Sequence, residues 1–142
     1  MRIISYEERY RDDMIFMVLE VKNALGRVPT LNDDLLDIRA SYLAQGDLFW
    51  LALDENDRVI GCVGYNSLEN GAIRLHRLYV KYNRKRQGIG TALLQRAETH
   101  ARERGKKTVY VHLGGKEYIE SRSFYPKHGY EEYQPSWMRK VL

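Results

Sequence analysis

Cysteine is nearly absent from this 142-residue chain. Cys62 stands alone, which excludes an internal disulfide, and no Cys/His group has the spacing of a zinc site. Long hydrophobic runs are missing too. None approaches the roughly 20 residues of a membrane span, and the opening MRIISYEERYRDD lacks the apolar core of a signal peptide. Repeats, linkers and low-complexity segments are also lacking. The expectation is a cytoplasmic protein with no metal and no membrane partner. What is present is globular in composition: 44% hydrophobic and 30% charged residues, which suits one domain over residues 1–142.

Charge is divided sharply along the chain. Residues 1–73 carry 7 Lys+Arg against 13 Asp+Glu, a net of −6; residues 74–107 carry 11 against 2, a net of +9; residues 108–142 carry 5 against 4. A wholly basic protein points to nucleic acid, but here the positive charge is local and surrounds two glycines, Gly88 and Gly90.

Periodicity outlines the elements. Residues 1–4 read as a short strand, and Ser5 with Glu8 has the spacing of a capping box for a helix carrying Met14, Met17, Val18, Val21 and Leu25. Gly26 can end that helix, and Leu35, Leu36, Ile38 and Leu43 predict a second one closing near Gly46. Strands follow over 48–54, 59–68 and 72–80, joined by short turns as antiparallel neighbours are, with Asn70-Gly71 the clearest. Residues 89–104 predict a third helix with Ile89, Leu93, Leu94, Ala97 and Ala101 on one face; 108–113 reads as a buried strand. A short helix within 117–129 and final strands in YEEY and WMRKVL complete an α/β or α+β chain with a mainly antiparallel start.

Between the strand ending at Val80 and the helix starting at Ile89 lies KYNRKRQG. A helix start leaves four N–H groups without intrahelical partners and carries about half a positive charge, so it suits a phosphate. Glycine at 88 and 90 permits close approach and nest-like backbone angles, and Arg84, Lys85 and Arg86 add positive charge at the rim. Two familiar phosphate loops fail. A P-loop needs a lysine between the Gly and Thr that here adjoin as Gly90-Thr91. A dinucleotide fingerprint needs a third glycine, where Leu93 stands.

The segment LYVKYNRKRQGIGTALLQRAETHARERG resembles the cofactor-binding segment of the GCN5-related N-acetyltransferases, with Gly88 and Gly90 as its two small loop residues and Lys85 where Arg or Gln is usual. SFYPKHGY resembles that family's second signature, and the order of elements agrees over nearly the whole chain. The resemblance implies a mixed α/β (α+β) fold, with a mostly antiparallel sheet of about six to seven strands flanked by about four helices. It implies acetyl-coenzyme A as cosubstrate. The backbone of Leu78, Tyr79 and Val80 would pair with the pantetheine arm; Arg86, Gln87, Gly88, Ile89, Gly90 and Thr91 would hold the pyrophosphate, with Lys85 nearby. The local +9 then has a polyanionic partner.

Acetyl transfer to an amine requires a neutral nucleophile, a stabilised oxyanion and a protonated leaving thiolate. An alkylamine of pKa about 10.4 is mostly protonated at neutral pH, so a base is expected, directly or through water. Tyr125 falls on the family's usual tyrosine position and is the candidate general acid; a core aromatic beside Phe124 is the competing role. No glutamate lies on the 72–80 strand. His76 does, and an imidazole ordinarily titrates near neutrality, so it is the candidate base, with Glu69 and Glu120 behind it. A strand N–H near Leu78 would stabilise the oxyanion.

Acceptors expected are small-molecule or peptide amines, with a homodimer as an open assembly and no nucleic acid as partner. Asp33, Asp34 and Asp37 are placed to attract a cationic amine, or to form a solvated helix face. Three other readings stand beside direct transfer. One is a non-catalytic acyl-coenzyme A sensor or interaction module. Another is a covalent route through Cys62, weighed against ordinary burial in VIGCVGY. The third is RNA stacking on Tyr110, Tyr118, Tyr125, Tyr130 and Tyr133, weighed against strand packing.

Overall fold

A computed structural model of the protein describes residues 1–114 and 119–142. Its strands are β1 (Arg2–Ser5), β2 (Leu48–Leu53), β3 (Val59–Ser67), β4 (Ala72–Val80), β5 (Thr108–His112), β6 (Glu131–Gln134) and β7 (Trp137–Val141). They form one sheet in the order β1-β2-β3-β4-β5-β7-β6. Every neighbouring pair is antiparallel except β4 and β5. Parallel neighbours need a crossover, and helix α3 (Ile89–Glu103) supplies it. This is the mostly antiparallel mixed sheet that the resemblance implied.

Two apolar layers sandwich the sheet. On one face α3 lays Ile89, Leu93, Leu94, Ala97 and Ala101 against Trp50, Val63, Ile73 and Val109; α4 (Ile119–Lys127) adds Tyr125. On the other face α1 (Arg11–Ala24) buries Met14, Met17, Val18 and Val21 against Phe49, Leu51, Val59 and Cys62. The apolar stripes read from the spacing are the ones buried.

Two local expectations are corrected. The Ser5–Glu8 capping box does not form, because Ser5 stays in β1 opposite Trp50 and the Tyr6 N–H donates to the Phe49 carbonyl at 2.9 Å. A 3₁₀ turn over Glu8–Tyr10 then leads into α1, with no side-chain cap. Strand pairing wins over the local helix signal. The second helix breaks into a 3₁₀ turn at Asp33–Leu36, a single turn α2 (Ile38–Ser41) and another 3₁₀ turn at Leu43–Gln45. Asp37 stands at the break with non-helical backbone angles, and its side chain accepts the Ala40 N–H at 3.1 Å. Leu35, Ile38 and Tyr42 are still buried. The predicted helix within 117–129 is observed from Ile119; Glu117 and Tyr118 lie outside the described residues.

Candidate active site

The sheet opens beside β4. Parallel pairing with β5 ends at Leu75–Val111, although β4 runs on to Val80. On its other side β4 stays paired to β3, but the register jumps from His76–Gly64 to Tyr79–Cys62. Two β4 residues, Arg77 and Leu78, therefore oppose Val63 alone, and Arg77 sits at a φ of 56°. This is a β-bulge, which bends a strand and re-aims its backbone groups. Along Leu78–Val80 the edge facing away from β3 has no partner strand among the described residues.

The bulge is braced by side chains. Arg77 forks onto Asp34, Nε to Oδ2 at 3.0 Å and Nη2 to Oδ1 at 2.9 Å, and Tyr42 Oη donates to the same carboxylate at 2.7 Å. Burial works to raise the Asp34 pKa, but hydrogen bonds from Arg77 and Tyr42 prevail and hold it below the usual range. The Cys62 thiol donates to the Arg77 carbonyl at 3.2 Å. Asp34, which the sequence offered as an attractant for a cationic amine, is thus committed to the fold, and Asp37 is a cap.

The glycine loop faces the open edge. After a 3₁₀ turn at Tyr82–Arg84, Arg86 and Gly88 both adopt left-handed backbone angles, φ 63° and 79°. The Gly88 carbonyl accepts the Ala92 N–H at 3.0 Å, so α3 begins at Ile89 and the N–H groups of its first turn have no intrahelical acceptor. A Cβ at Gly88 would meet nothing within 4 Å; one at Gly90 would lie 3.5 Å from Phe124 and Val80, ordinary contact. Backbone angle explains the glycine at 88. Internal packing requires neither glycine. Two of the three rim cations are paired: Arg84 with Asp54 at 3.2 Å and Lys85 with Glu120 at 3.1 Å. Arg86 is exposed, with no ion pair recorded among the described residues.

Helix α4 closes the other wall. Phe124 meets the His128 ring at a tilt with centroids 4.7 Å apart, and Thr91 Oγ1 lies 3.3 Å from His128 Nε2, which ties the end of α4 to the start of α3. Tyr125 is buried between Phe124 and Tyr130, with ring centroids 5.2 and 5.3 Å away, and burial raises its pKa. Its hydroxyl has no hydrogen bond recorded among the described residues.

His76 lies on β4 beside Tyr42, its ring centroid 6.4 Å away. Burial, with Arg74 and Arg77 adding repulsion, pushes its pKa down to about 4. The expectation of near-neutral titration is corrected: the imidazole is uncharged at neutral pH and weakly basic. Glu69 sits in the turn before β4, whose first residue, Ala72, is already six residues or about 20 Å from Leu78 along the strand. Glu120 holds Lys85. Cys62 is fully buried and pushed up to about 12 by desolvation. It should therefore resist a maleimide in the native protein and react only on unfolding; rapid native labelling, read by mass spectrometry, would contradict this placement.

Arg77, Asp34 and Tyr42 were not singled out as a unit by the sequence reading, though a charged residue inside the apolar run AIRLHRLYV is a visible signal. Among the described residues no group of three His, Cys, Asp or Glu side chains is placed to hold a metal, and no helix is long and apolar enough to cross a membrane.

A profile of the Acetyltransferase (GNAT) family matches residues 13–130. Human N-acetyltransferase 8 is 35% identical over 91 residues, covering 60% of this chain and 40% of that protein. The chain spans less than half the length of the curated relatives it matches. The crystal structure of an acetyltransferase of the GNAT family from Staphylococcus aureus Mu50 superposes with a TM-score of 0.91 at 24% identity, covering 99% of this chain and 98% of that one. PaiA N-acetyltransferase from Thermoplasma acidophilum, in complex with coenzyme A, gives 0.74 at 19% identity with both chains fully covered. At such identities the structural likeness speaks for the fold alone.

Proposed function

The chain belongs to the Acetyltransferase (GNAT) family, and on that footing we propose that it moves an acetyl group from acetyl-coenzyme A directly to a primary amine. The observation that carries this reading is that β4 runs on through Leu78–Val80 beyond its pairing with β5, beside the first N–H groups of α3, which have no intrahelical acceptor. Coenzyme A joins an amide-bearing arm to a pyrophosphate, and these two features fit those two parts. The backbone of Leu78, Tyr79 and Val80 pairs with the arm. Arg86, Gln87, Gly88, Ile89, Gly90 and Thr91 surround the pyrophosphate, with Lys85 beside it once released from Glu120.

The cosubstrate supplies an acetyl group already activated as a thioester. A backbone N–H near Leu78, re-aimed by the Arg77 bulge, stabilises the oxyanion as a donor fixed in place before reaction. Tyr125 enters each turnover protonated, because burial raises its pKa. The same shift disfavours a buried phenolate, so the hydroxyl donates a hydrogen bond to the sulfur as charge develops there, and the proton it gives the departing thiolate is replaced through water by the one the amine sheds. His76, uncharged, accepts a hydrogen bond from the incoming amine, and the proton which that amine sheds passes to water. The sensor reading keeps one specific support: with His76 weakly basic and Glu120 paired, no strong base stands at the cleft among the described residues. Cofactor binding without transfer to any amine across pH 6–9 would favour it.

Gly88→Val and Gly90→Val test the cofactor site. Valine at 88 must take a φ near 79°, which a branched residue resists; at 90 its branches enter the space before the loop. Both variants should lose about 10-fold or more of acetyl-coenzyme A affinity in a calorimetric titration and most of the ligand's thermal stabilisation. Parental affinity in both would remove the loop from the site.

A further inference from the structure

The face of the sheet opposite α3 is covered by α1 and the 33–45 segment over β1 to β4; over β5 and β7 it carries Tyr110 and Trp137, half-buried, and His112 and Arg139, exposed, with Tyr133 of β6 against Tyr110 and Arg139. There Arg74 of β4 stands in register with Tyr110 of β5, and Tyr110 with Arg139 of β7. The Arg74 guanidinium lies over the Trp137 ring, 4.8 Å from its centroid, and Trp137 meets His112 at 4.8 Å. Arg74 is partly buried, its Nε is wholly buried and unpartnered, and no carboxylate is recorded pairing with it among the described residues. The nearby acids are engaged elsewhere: Asp34 with Arg77 and Tyr42, and Asp47 with Asn66 and the Ser67 N–H.

A half-buried guanidinium without a counter-ion, its Nε out of reach of water, is costly, and stacking on Trp137 offsets only part of that cost. Arginine presents a planar fork that matches a carboxylate. His76, on the same face two residues along β4, is about 7 Å away at strand spacing and leads to the open edge at Leu78. We propose that Arg74 is the receptor for a carboxylate on the acetyl acceptor, which is an amine whose carbon skeleton also bears a carboxylate and lies against Trp137. This rests on the transfer reading above and names its substrate class. It departs from the reading in which Asp33, Asp34 and Asp37 attract a cationic amine, since Asp34 is spent on the bulge and Asp37 on a cap, and the uncompensated charge at this face is positive.

The test uses the full chain with two scaffolds, phenylalanine and 6-aminohexanoate, each beside its carboxamide, and 3-phenylpropanoate as an acid without an amine. Thiol release gives kcat/KM, and calorimetry on the coenzyme A-loaded protein gives binding independent of transfer. The parent should favour the carboxylate over the carboxamide by about 10- to 100-fold in at least one scaffold, the range for a charged bidentate contact. Arg74→Gln should bring that ratio near one and abolish 3-phenylpropanoate binding; Arg74→Lys should keep part of both. Acid binding that depends on Arg74 while no amine is acetylated would support the receptor and overturn the transfer reading. Equal handling of carboxylate and carboxamide in both scaffolds would overturn the proposal. So would acid binding that survives Arg74→Gln, a stable dimer in sedimentation that occludes Trp137, or oligonucleotide binding that displaces the acid.

Discussion

Tyr125→Phe should bind acetyl-coenzyme A as the parent does and turn over about a hundredfold more slowly. The Tyr125 hydroxyl has no recorded hydrogen bond among the described residues, so removing it costs the folded protein little; the ring, packed between Phe124 and Tyr130, is retained. Loss of turnover at unchanged melting temperature would then report the departing sulfur losing its donor, at the usual scale for an acid–base catalyst. Steady-state turnover, a cofactor titration and a melting curve on both proteins make the comparison. Parental turnover in the Phe variant would assign Tyr125 to the core alone.

Glu98→Ala should destabilise the fold by about 3–5 kcal/mol, the scale for breaking a buried ion pair from one side. Glu98 is 5% exposed on α3, accepts Tyr130 Oη at 2.7 Å and Lys140 Nζ at 2.9 Å, and has Arg102 at 3.8 Å. It ties α3 to the turn after α4 and to β7. Alanine leaves a buried phenol and an ammonium without their shared acceptor. At roughly 2–4 °C per kcal/mol for a chain of this size, the melting midpoint should fall by about 6–20 °C. Glu98→Gln keeps an acceptor for Tyr130 and loses only the charge, so its loss should be smaller. A midpoint unmoved by alanine would show that Lys140 and Tyr130 find solvent instead.

Parts of the site were legible because they are local. The loop from Lys81 to Gly90 announces itself by glycine spacing and charge within ten residues, and α3 by an apolar face of its own. Other parts were legible but misassigned. The basic run at 84–86 reads as three free cations, yet Arg84 and Lys85 are paired to Asp54 and Glu120, 30 and 35 residues away in sequence. His76 reads as a near-neutral base, yet its proton affinity depends on burial and on which cations the sheet brings near it.

The sequence by itself determined where the strands and the longer helices run, since two- and 3.6-residue periodicities need only neighbours along the chain. It also determined that a basic loop with two glycines precedes α3, because composition and spacing are local properties of the chain. Only the tertiary structure decided that β4 bulges at Arg77 and parts from β5, because the bulge is read from a register against β3 and braced by Asp34 43 residues away. It decided too that the 30–46 segment breaks rather than continues as a helix, and that Arg74 stands uncompensated over Trp137. These outcomes depend on which distant groups meet and how much water they lose, and neither quantity is written in any local stretch of residues.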